Sequence, residues 1–414
     1  MNIIRNICRI LIGIIFIYSG FVKGIDPLGS YYKFIDYFNA LHMSWMNGSA
    51  LFFSFALALF EFITGLCLFL NIKTKTAAWG VFLFMAVMTP LTLILAIKNP
   101  VSDCGCFGDA WILTNWETFW KNMVLLVLTL GIFFNRDRYH SIFNVLEQSV
   151  LIVLGIAFML SIESYCYRHL PLIAFRPYAI GKNITEGMTP PVDAPHDEYE
   201  ITLQYKNKKT GELKDFTEEN YPWQDTLNWE YANTFEKLVK EGYRTPIQHF
   251  NIEHPELGDI TEEILTDNGY TLLAISYDIN KANPANQEGL NKLAAYAQEK
   301  GIRFYGLTAS IDSDVQQYKD RYSVNYDYCT ADETQLKTVI RSNPGLVLLH
   351  QGTVINKWGH RDLPNVEALC DKDLLAYSLN EQQTEKNRLL AYTFILTALA
   401  CLGFYLAKKN NKRR

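Results

Sequence analysis

Long apolar stretches alternate with short polar ones over the first 162 residues, and a further apolar stretch lies near the C-terminal end. Apolar runs of roughly 20 residues are long enough for a helix to cross the hydrocarbon core of a bilayer. The first run is expected to stay in the protein, because no small-residue signal cleavage site follows it. The pattern predicts membrane-spanning helices at residues 3–22, 50–70, 77–97, 118–134, 142–162 and 389–407.

Basic residues beside these runs predict their orientation, since Lys and Arg collect on the cytoplasmic side. The basic positions are Arg5, Arg9, Lys73, Lys75, Arg136, Arg138 and most of the tail 408–414. If all the predicted helices cross, these positions lie on one side. Both termini are then cytoplasmic, and residues 163–388 are extracytoplasmic together with the loop between the third and fourth helices.

The polar interval divides at about residue 246. Before it, a proline-rich linker leads to an alternating strand at 200–205, with a partner strand near 213–216. The tryptophan-bearing segment 229–241 is predicted to be helical. After residue 246 predicted strands alternate with predicted helices, which is typical of a mixed sheet covered by helices. Strands are predicted at 270–277, 302–308, 326–329, 346–350 and 353–358, and helices at 286–300, 312–322 and 332–341.

Charge and cysteine content narrow the function classes. A formal net charge of −5 gives no indication of nucleic-acid binding, and the chain has no glycine-rich phosphate loop. Five of its eight cysteines fall on the predicted outer side, where disulfides can persist. Because five is odd, at least one outer thiol is free or pairs with a partner. These cysteines are Cys104, Cys106, Cys166, Cys329 and Cys370.

The sequence Asp-Cys-Gly-Cys-Phe-Gly-Asp at 103–109 carries the most specific chemistry. Glycine accepts backbone angles that other residues avoid, so this loop can fold tightly and bring Cys104 and Cys106 together. A disulfide across one residue closes a very small ring, which favours easy reduction. The pair is interpreted as a redox-active dithiol, with a static loop staple as the alternative. A third interpretation is a zinc or copper site that the two thiolates begin with Asp103 and Asp109, but no further ligand pair is evident, so no metal is predicted.

Glu61 is an acid in the middle of the second apolar run. An ionisable group at that depth is costly, so it should face the helix bundle and have a partner. Candidate partners are Tyr18, Ser19 and Lys23. Its role is either a structural hydrogen bond between the first two helices or proton handling beside a reducible ligand such as a quinone.

Residues 1–135 resemble the MauE/DoxX family of membrane proteins. The resemblance rests on Ser-Gly-Phe-Val-Lys-Gly-Ile-Asp-Pro at 19–27, on Glu61, and on Cys-Gly-Cys-Phe-Gly at 104–108. It implies a redox-associated protein of the bacterial inner membrane, with residues 163–388 in the periplasm. MauE-type members are linked to methylamine dehydrogenase maturation and disulfide formation, and DoxX-type relatives to sulfur or quinone chemistry. No neighbouring feature of this chain indicates methylamine itself.

The later strand and helix order resembles a thioredoxin-like domain of the TlpA/ResA type. In that family a cis-proline precedes the penultimate strand, and Pro344 stands at the matching place. The family's Cys-x-x-Cys should follow the 270–277 strand, but residues 278–284 contain no cysteine, so local catalysis there is excluded. Cys329 and Cys370 remain as single thiols, and Cys329 is interpreted as an ordinary buried strand residue.

The predicted fold class is thus an α-helical membrane protein, a four-helix bundle plus two further transmembrane helices, with an extracytoplasmic α/β thioredoxin-like domain. The predicted divisions are 1–138 for the four-helix domain, 139–165 for the fifth helix, 166–245 for the linker and hairpin, 246–380 for the thioredoxin-like domain, 389–407 for the last helix and 408–414 for the basic tail.

Two functions follow from these observations. The first is thiol–disulfide exchange, in which Cys104 and Cys106 exchange electrons with an extracytoplasmic thiol protein or with Cys166, and the bundle passes them to quinone. The second is a non-enzymatic assembly factor or scaffold in the lipid bilayer, with a static Cys-Gly-Cys bridge and a partner-binding outer domain. The missing Cys-x-x-Cys favours the second, and the small Cys-Gly-Cys ring favours the first.

Overall fold

A computed structural model describes residues 2–101, 104–240, 242–248, 250–370 and 374–411. Asp103 and the last three residues of the basic tail lie outside the described residues, as does the side chain of Cys370. The α-helices within these ranges are α1 (Asn2–Ile25), α2 (Pro27–Ala40), α3 (Ala50–Leu70), α4 (Thr74–Lys98), α5 (Asn115–Phe134), α6 (Val145–Arg168), α7 (Ile184–Met188), α8 (Thr261–Leu265), α9 (Gln287–Lys300), α10 (Asp312–Tyr322), α11 (Glu333–Val339), α12 (Val366–Cys370) and α13 (Leu374–Asn411).

The strands of the described residues form two sheets. One is three-stranded with the order β2-β1-β3, and the other is seven-stranded with the order β10-β9-β6-β7-β8-β4-β5. Their bounds are β1 (Glu198–Asn207), β2 (Leu213–Thr217), β3 (Trp229–Lys240), β4 (Glu253–His254), β5 (Gly258–Asp259), β6 (Tyr270–Ile275), β7 (Arg303–Thr308), β8 (Asp327–Thr330), β9 (Gly345–His350) and β10 (Thr353–Gly359).

Five helical segments among the described residues are long and apolar enough to cross a membrane. They correspond to the first five predicted spans, so the chain is a membrane protein with an additional α/β region. The sixth predicted span, 389–407, falls within α13, which is not among the five, and it stays a prediction. The five segments are Ile3–Ile25, Ser44–Leu70, Thr74–Lys98, Asn115–Phe134 and Val145–Arg168.

Small residues bring α1 and α3 into backbone contact. A Cβ atom added to Gly20 would lie 2.4 Å from the backbone nitrogen of Phe62, and one added to Gly65 would lie 2.5 Å from that of Ile17. Neither glycine tolerates a side chain, because such distances are shorter than any real contact. This close approach carries Lys23, near the end of α1, to the side of α3 that holds Glu61.

The seven-stranded sheet is mixed. Strand β6 pairs in parallel with β7, and β7 pairs in parallel with β8. On its other edge β6 pairs antiparallel with β9, and β9 pairs antiparallel with β10. The strands and helices predicted between 270 and 358 are all present, within a few residues of the predicted ends. The Asn343–Pro344 peptide bond that precedes β9 is cis. We call residues 251–370 the mixed-sheet region.

Residues Asn183–Phe250 form a compact unit that contains the three-stranded sheet. The predicted hairpin is present as β1 and β2, paired antiparallel. The predicted helix at 229–241 is wrong, because this segment is β3 and pairs with β1. Its Glu, Lys and Leu residues suit a helix, but the Trp229 ring packs edge-on against Phe216, and Tyr231 packs against Tyr205. Such cross-strand aromatic pairs stabilise a sheet and override helical propensity.

Candidate functional site

Two thiols lie side by side in the connection between α4 and α5. The sulfur atoms of Cys104 and Cys106 are 2.8 Å apart. Gly105 between them has a positive φ of 64°, and Gly108 has one of 53°, both in the left-handed region that glycine adopts without strain. The Gly108 N–H donates to the Gly105 carbonyl over 3.0 Å and closes the turn. We call residues 104–110 the dithiol loop.

The bundle holds the backbone of this loop by side chains from α1 and α2. The Lys23 ammonium donates to the Cys106 carbonyl over 2.5 Å, and the Ser19 hydroxyl donates to the same oxygen over 2.8 Å. The Tyr37 hydroxyl donates to the Cys104 carbonyl. Both cysteine carbonyls are thus fixed from the bundle side, which leaves the sulfur atoms to be oriented by the turn.

Glu61 has an ionic partner, and it is one of the three candidates expected from the sequence. Its carboxylate lies 2.6 Å from the Lys23 ammonium, and the two residues are only 3% and 5% exposed. The same ammonium donates to Ser19 over 2.7 Å. A buried ion pair requires further hydrogen bonds to offset its desolvation, and Ser19 and the Cys106 carbonyl provide them.

The two thiols have opposite acidities. The Cys104 thiol donates a hydrogen bond to Cys106. This hydrogen bond is the main cause that lowers the pKa of Cys106 to about 6, and the positive charges of Lys121 and Lys23 lower it further. Burial and the charge of Glu61 oppose this shift. The same hydrogen bond and burial raise the pKa of Cys104. This asymmetry favours the thiolate on Cys106 and the protonated thiol on Cys104.

Aromatic rings surround the loop. The Phe107 ring is buried and stacks on Trp111, with centroids 6.0 Å apart and planes at 16°. The Tyr18 ring also packs against Phe107, with centroids 5.7 Å apart, and the Lys121 ammonium lies 4.2 Å from the Phe107 centroid. An ammonium held on an aromatic face is kept close to the loop. Phe107 therefore places the positive charge of Lys121 near the thiols.

The remaining candidate thiols lie in different surroundings. Cys166 was expected just outside the membrane, but α6 continues to Arg168, and Cys166 is 1% exposed within an apolar cluster that includes Phe62 and Met159. The helix therefore continues six residues beyond the predicted end of the span at residue 162. Cys329 is fully buried in β8, as expected of a strand residue, and burial raises its pKa to about 12. Cys104 is buried as well, at 5% exposed, and Cys106 is the partly exposed thiol of the dithiol loop, so Cys106 is better placed than Cys166 or Cys329 to attack an external disulfide.

Polar groups hold the turn after β6 by hydrogen bonds. The Asp278 carboxylate accepts from the Asn280 N–H over 3.1 Å, and the Asn343 amide donates to the Asp278 carbonyl over 2.7 Å. This is the place where the thioredoxin resemblance implies a dithiol. The sequence provides Asp, Asn and Lys side chains there instead, and none is a thiol.

Four charged residues that the sequence did not bring together meet beside the dithiol loop. Asp109 of the loop lies 2.6 Å from Arg176, and Asp26 at the start of α2 lies 3.1 Å from Arg341. We call these four residues the charge cluster. The partners are 67 and 315 residues apart in the sequence, and no local pattern pairs charges over such separations. Asp26 lies in the motif at 19–27 and Asp109 in the motif at 103–109. These two motifs are the signal in the sequence that could have drawn attention to the acids.

Among the described residues, no group of three or more His, Cys, Asp or Glu side chains is arranged to hold a metal ion. Asp103, one of the two acids in the metal interpretation, lies outside the described residues. The other acid, Asp109, is paired with Arg176 and so is engaged by a cation already.

Two family models match parts of the chain. Residues 1–135 match the model described as methylamine utilisation protein MauE, and residues 199–241, which include β3, match a domain of unknown function, DUF8463. No curated protein and no solved structure matches the chain. The first match covers 135 of the 414 residues, and these contain the dithiol loop with Lys23 and Glu61. Over that part, the chain is similar to MauE proteins.

Proposed function

We propose that the chain is a membrane thiol–disulfide exchange protein in which Cys106 is the attacking thiolate and Cys104 the resolving thiol. The observation that carries this proposal is the 2.8 Å separation of two thiols with opposite acidities. Only a thiolate attacks a disulfide, and the second thiol must then be close enough to displace the partner.

The exchange balances without any other reactant. The Cys106 thiolate attacks one sulfur of a partner disulfide, forms a mixed disulfide and releases the other partner sulfur as a thiolate. Cys104 then loses its proton to that leaving thiolate and attacks Cys106. This step forms the Cys104–Cys106 disulfide and releases the partner with one thiol and one thiolate, and the thiolate takes up a proton from solvent. In the reverse direction the protein's disulfide oxidises a partner dithiol.

The proposed setting is the bacterial inner membrane, with the dithiol loop and residues 163–388 in the periplasm and both termini in the cytoplasm. The five apolar helices and the similarity to MauE proteins support membrane placement. The basic residues between the helices support this orientation. The partner is then an extracytoplasmic thiol protein, and the bundle is embedded in the lipid bilayer.

A quinone is the proposed electron acceptor for the reduced dithiol, because a quinone dissolves in the bilayer and takes up two electrons and two protons. The residues beside the loop fit such a group. Tyr18 and Trp111 are exposed and offer aromatic faces, and the Lys23–Glu61 pair offers fixed charge beside the Cys106 carbonyl.

We further propose that the mixed-sheet region is a thioredoxin-like domain that positions the dithiol loop or its partner and does not itself catalyse. The order and directions of its strands β9, β6, β7 and β8 support the fold. The absence of cysteine from residues 278–284 supports the non-catalytic role. This absence also favours the second candidate function, an assembly factor with a static Cys104–Cys106 bridge.

Trapping of the mixed disulfide tests the proposal. The Cys104→Ser variant keeps the attacking thiolate and lacks the resolving thiol, so it should accumulate a covalent adduct with a thiol-reactive partner such as glutathione disulfide. The Cys106→Ser variant should form none. Equal adduct formation in the two variants would overturn the assignment of roles, and no adduct in either would favour the scaffold.

A further inference from the structure

The charge cluster joins the dithiol loop to a distant part of the chain. The Arg341 guanidinium lies 3.1 Å from both oxygens of Asp26 and 3.6 Å from Asp109. Arg176 lies 2.6 Å from Asp109 and 3.8 Å from Asp26. Each arginine therefore contacts both acids, and the four form a closed set of two positive and two negative charges.

The four residues come from separate elements. Asp26 caps the N-terminus of α2 through the Gly29 N–H, and Asp109 follows the second thiol of the dithiol loop by three positions. Arg176 belongs to the segment after α6, and Arg341 lies just before the cis Asn343–Pro344 bond. The mixed-sheet region therefore contacts the loop end of the bundle through this cluster.

Neighbouring contacts reinforce the same junction. Both arginines donate to the Lys337 carbonyl at the end of α11, over 3.1 Å and 2.9 Å. The Tyr32 hydroxyl of α2 donates to the Tyr277 hydroxyl, at the end of β6, over 2.9 Å. The Arg341 side chain is only 4% exposed. Buried ion pairs that are fully partnered hold a fixed geometry, and losing one member leaves an uncompensated charge.

We propose that the charge cluster positions the dithiol loop, so that the mixed-sheet region acts as a clamp that keeps the Cys104 and Cys106 sulfurs together. Lys23 and Tyr37 hold the cysteine carbonyls from the bundle side, and Arg176 and Arg341 hold Asp109 from the other side. The inference rests on the proposed exchange function. It makes Arg176 and Arg341 positioning residues for the thiol pair.

The clamp has a measurable consequence for the dithiol equilibrium. Two thiols that are held together form their disulfide at a high effective concentration, and freeing the loop lowers that concentration. The Arg341→Gln and Asp109→Asn variants should therefore both make the Cys104–Cys106 disulfide easier to reduce. The expected shift of the thiol–disulfide equilibrium constant is about fivefold or more, the usual lower bound for coupling between sites.

The test uses the full chain in detergent, equilibrated with glutathione redox buffers and quantified by alkylation of the free thiols. The double variant should shift the equilibrium by less than the sum of the two single shifts, because both changes weaken the same closed set of charges. The Arg341→Lys variant should recover part of the shift. Arg303→Gln is the matched control, since Arg303 pairs with Glu263 and Asp267 away from the loop. If Arg341→Gln fails to fold, Arg176→Lys makes the same test by a smaller change.

The outcomes separate the two proposals. An unchanged equilibrium in the cluster variants of a protein that otherwise cycles would overturn the clamp alone. Opposite shifts for the arginine and aspartate variants would also overturn it, since they would indicate a charge effect and not a release of position. A wild-type protein with no reversible equilibrium would overturn the exchange function and the clamp together.

Discussion

The dithiol loop and the turn after β6 are both short connections closed by backbone hydrogen bonds, and they differ in the side chains that they carry. In the loop, the Gly108 N–H donates to Gly105, and two thiols flank that glycine. In the turn, the Lys281 N–H donates to Asp278, and the side chains there are carboxylates, amides and an ammonium. The chain thus has two thiols in the loop at the end of the bundle and none at residues 278–284 after β6.

The cysteines elsewhere sharpen this difference. Cys329 and Cys166 are as buried as core aliphatic residues, and neither has the polarising neighbours of Cys106. A thiol becomes reactive through the charges and donors around it, not through its presence alone. This difference supports the proposal that exchange takes place at the bundle and that the mixed-sheet region has a supporting role.

The largest expected effect separates these thiols directly. Cys106→Ser should abolish exchange with a partner disulfide, because it removes the attacking sulfur. Cys329→Ser, the matched change in β8, should leave the exchange rate unchanged although it places a hydroxyl in a buried strand. Exchange assays on the purified variants measure both. Loss of exchange in Cys329→Ser at unchanged folding would break the comparison.

Next in size is the loss of the buried Lys23–Glu61 pair. Lys23→Met leaves the Glu61 carboxylate unpaired and removes one of the two donors to the Cys106 carbonyl, so we expect about 3–5 kcal/mol less stability. The double variant Lys23→Met/Glu61→Leu should recover most of that loss, because no unpaired charge remains. Thermal unfolding in detergent gives the values. Lys75→Met, in an exposed pair with Asp137, is the control and should change little.

The pH dependence of alkylation should distinguish the two regions as well. Cys106 should react with half-maximal rate near pH 6, because its pKa is about 6, whereas the buried Cys329 should stay unreactive well above pH 9. A lowered pKa also stabilises the fold at high pH. The Cys106 contribution is complete above the ordinary thiol value near 9 and is lost as the pH falls toward 6, while the raised pKa of Cys104 opposes it above pH 9. A half-maximal rate of Cys106 near pH 9 would contradict the assigned thiolate.

The smallest effect concerns the turn itself. Gly105→Ala forces a side chain into the left-handed region, at a cost of about 1–2 kcal/mol. Its Cβ would also lie 3.2 Å from the Lys33 side chain. Gly211→Ala is the matched control, since Gly211 has a φ of 75° with no neighbour within 4 Å. Both should lose stability by chemical denaturation, but only Gly105→Ala should also slow exchange. Equal exchange rates would show that the loop geometry does not matter.

Much of this arrangement could be predicted from the sequence because it depends on local patterns. Apolar runs predicted the bundle helices, and alternation of strand and helix patterns predicted the central strands of the mixed sheet. The placement of Glu61 in an apolar run predicted a partner for it, with Lys23 among the candidates. The Cys-Gly-Cys spacing predicted that the sulfurs would meet.

The rest depends on contacts that no local pattern encodes. The composition of β3 predicts a helix, and the segment is a strand because it pairs with β1. Cys166 was expected outside the membrane because the apolar run weakens at residue 162, yet packing keeps α6 helical to Arg168. Arg341 and Asp26 meet across 315 residues, so the charge cluster required the three-dimensional fold.

Differential alkylation of Cys104 and Cys106 in native membranes tests the exchange function most directly. The two thiols would be labelled before and after addition of dithiothreitol, and again after addition of a short-chain quinone. We expect Cys104 and Cys106 to pass from disulfide to dithiol with dithiothreitol and to return to disulfide with the quinone. A pair that stays oxidised throughout would contradict the exchange function and identify the Cys104–Cys106 bridge as a static staple.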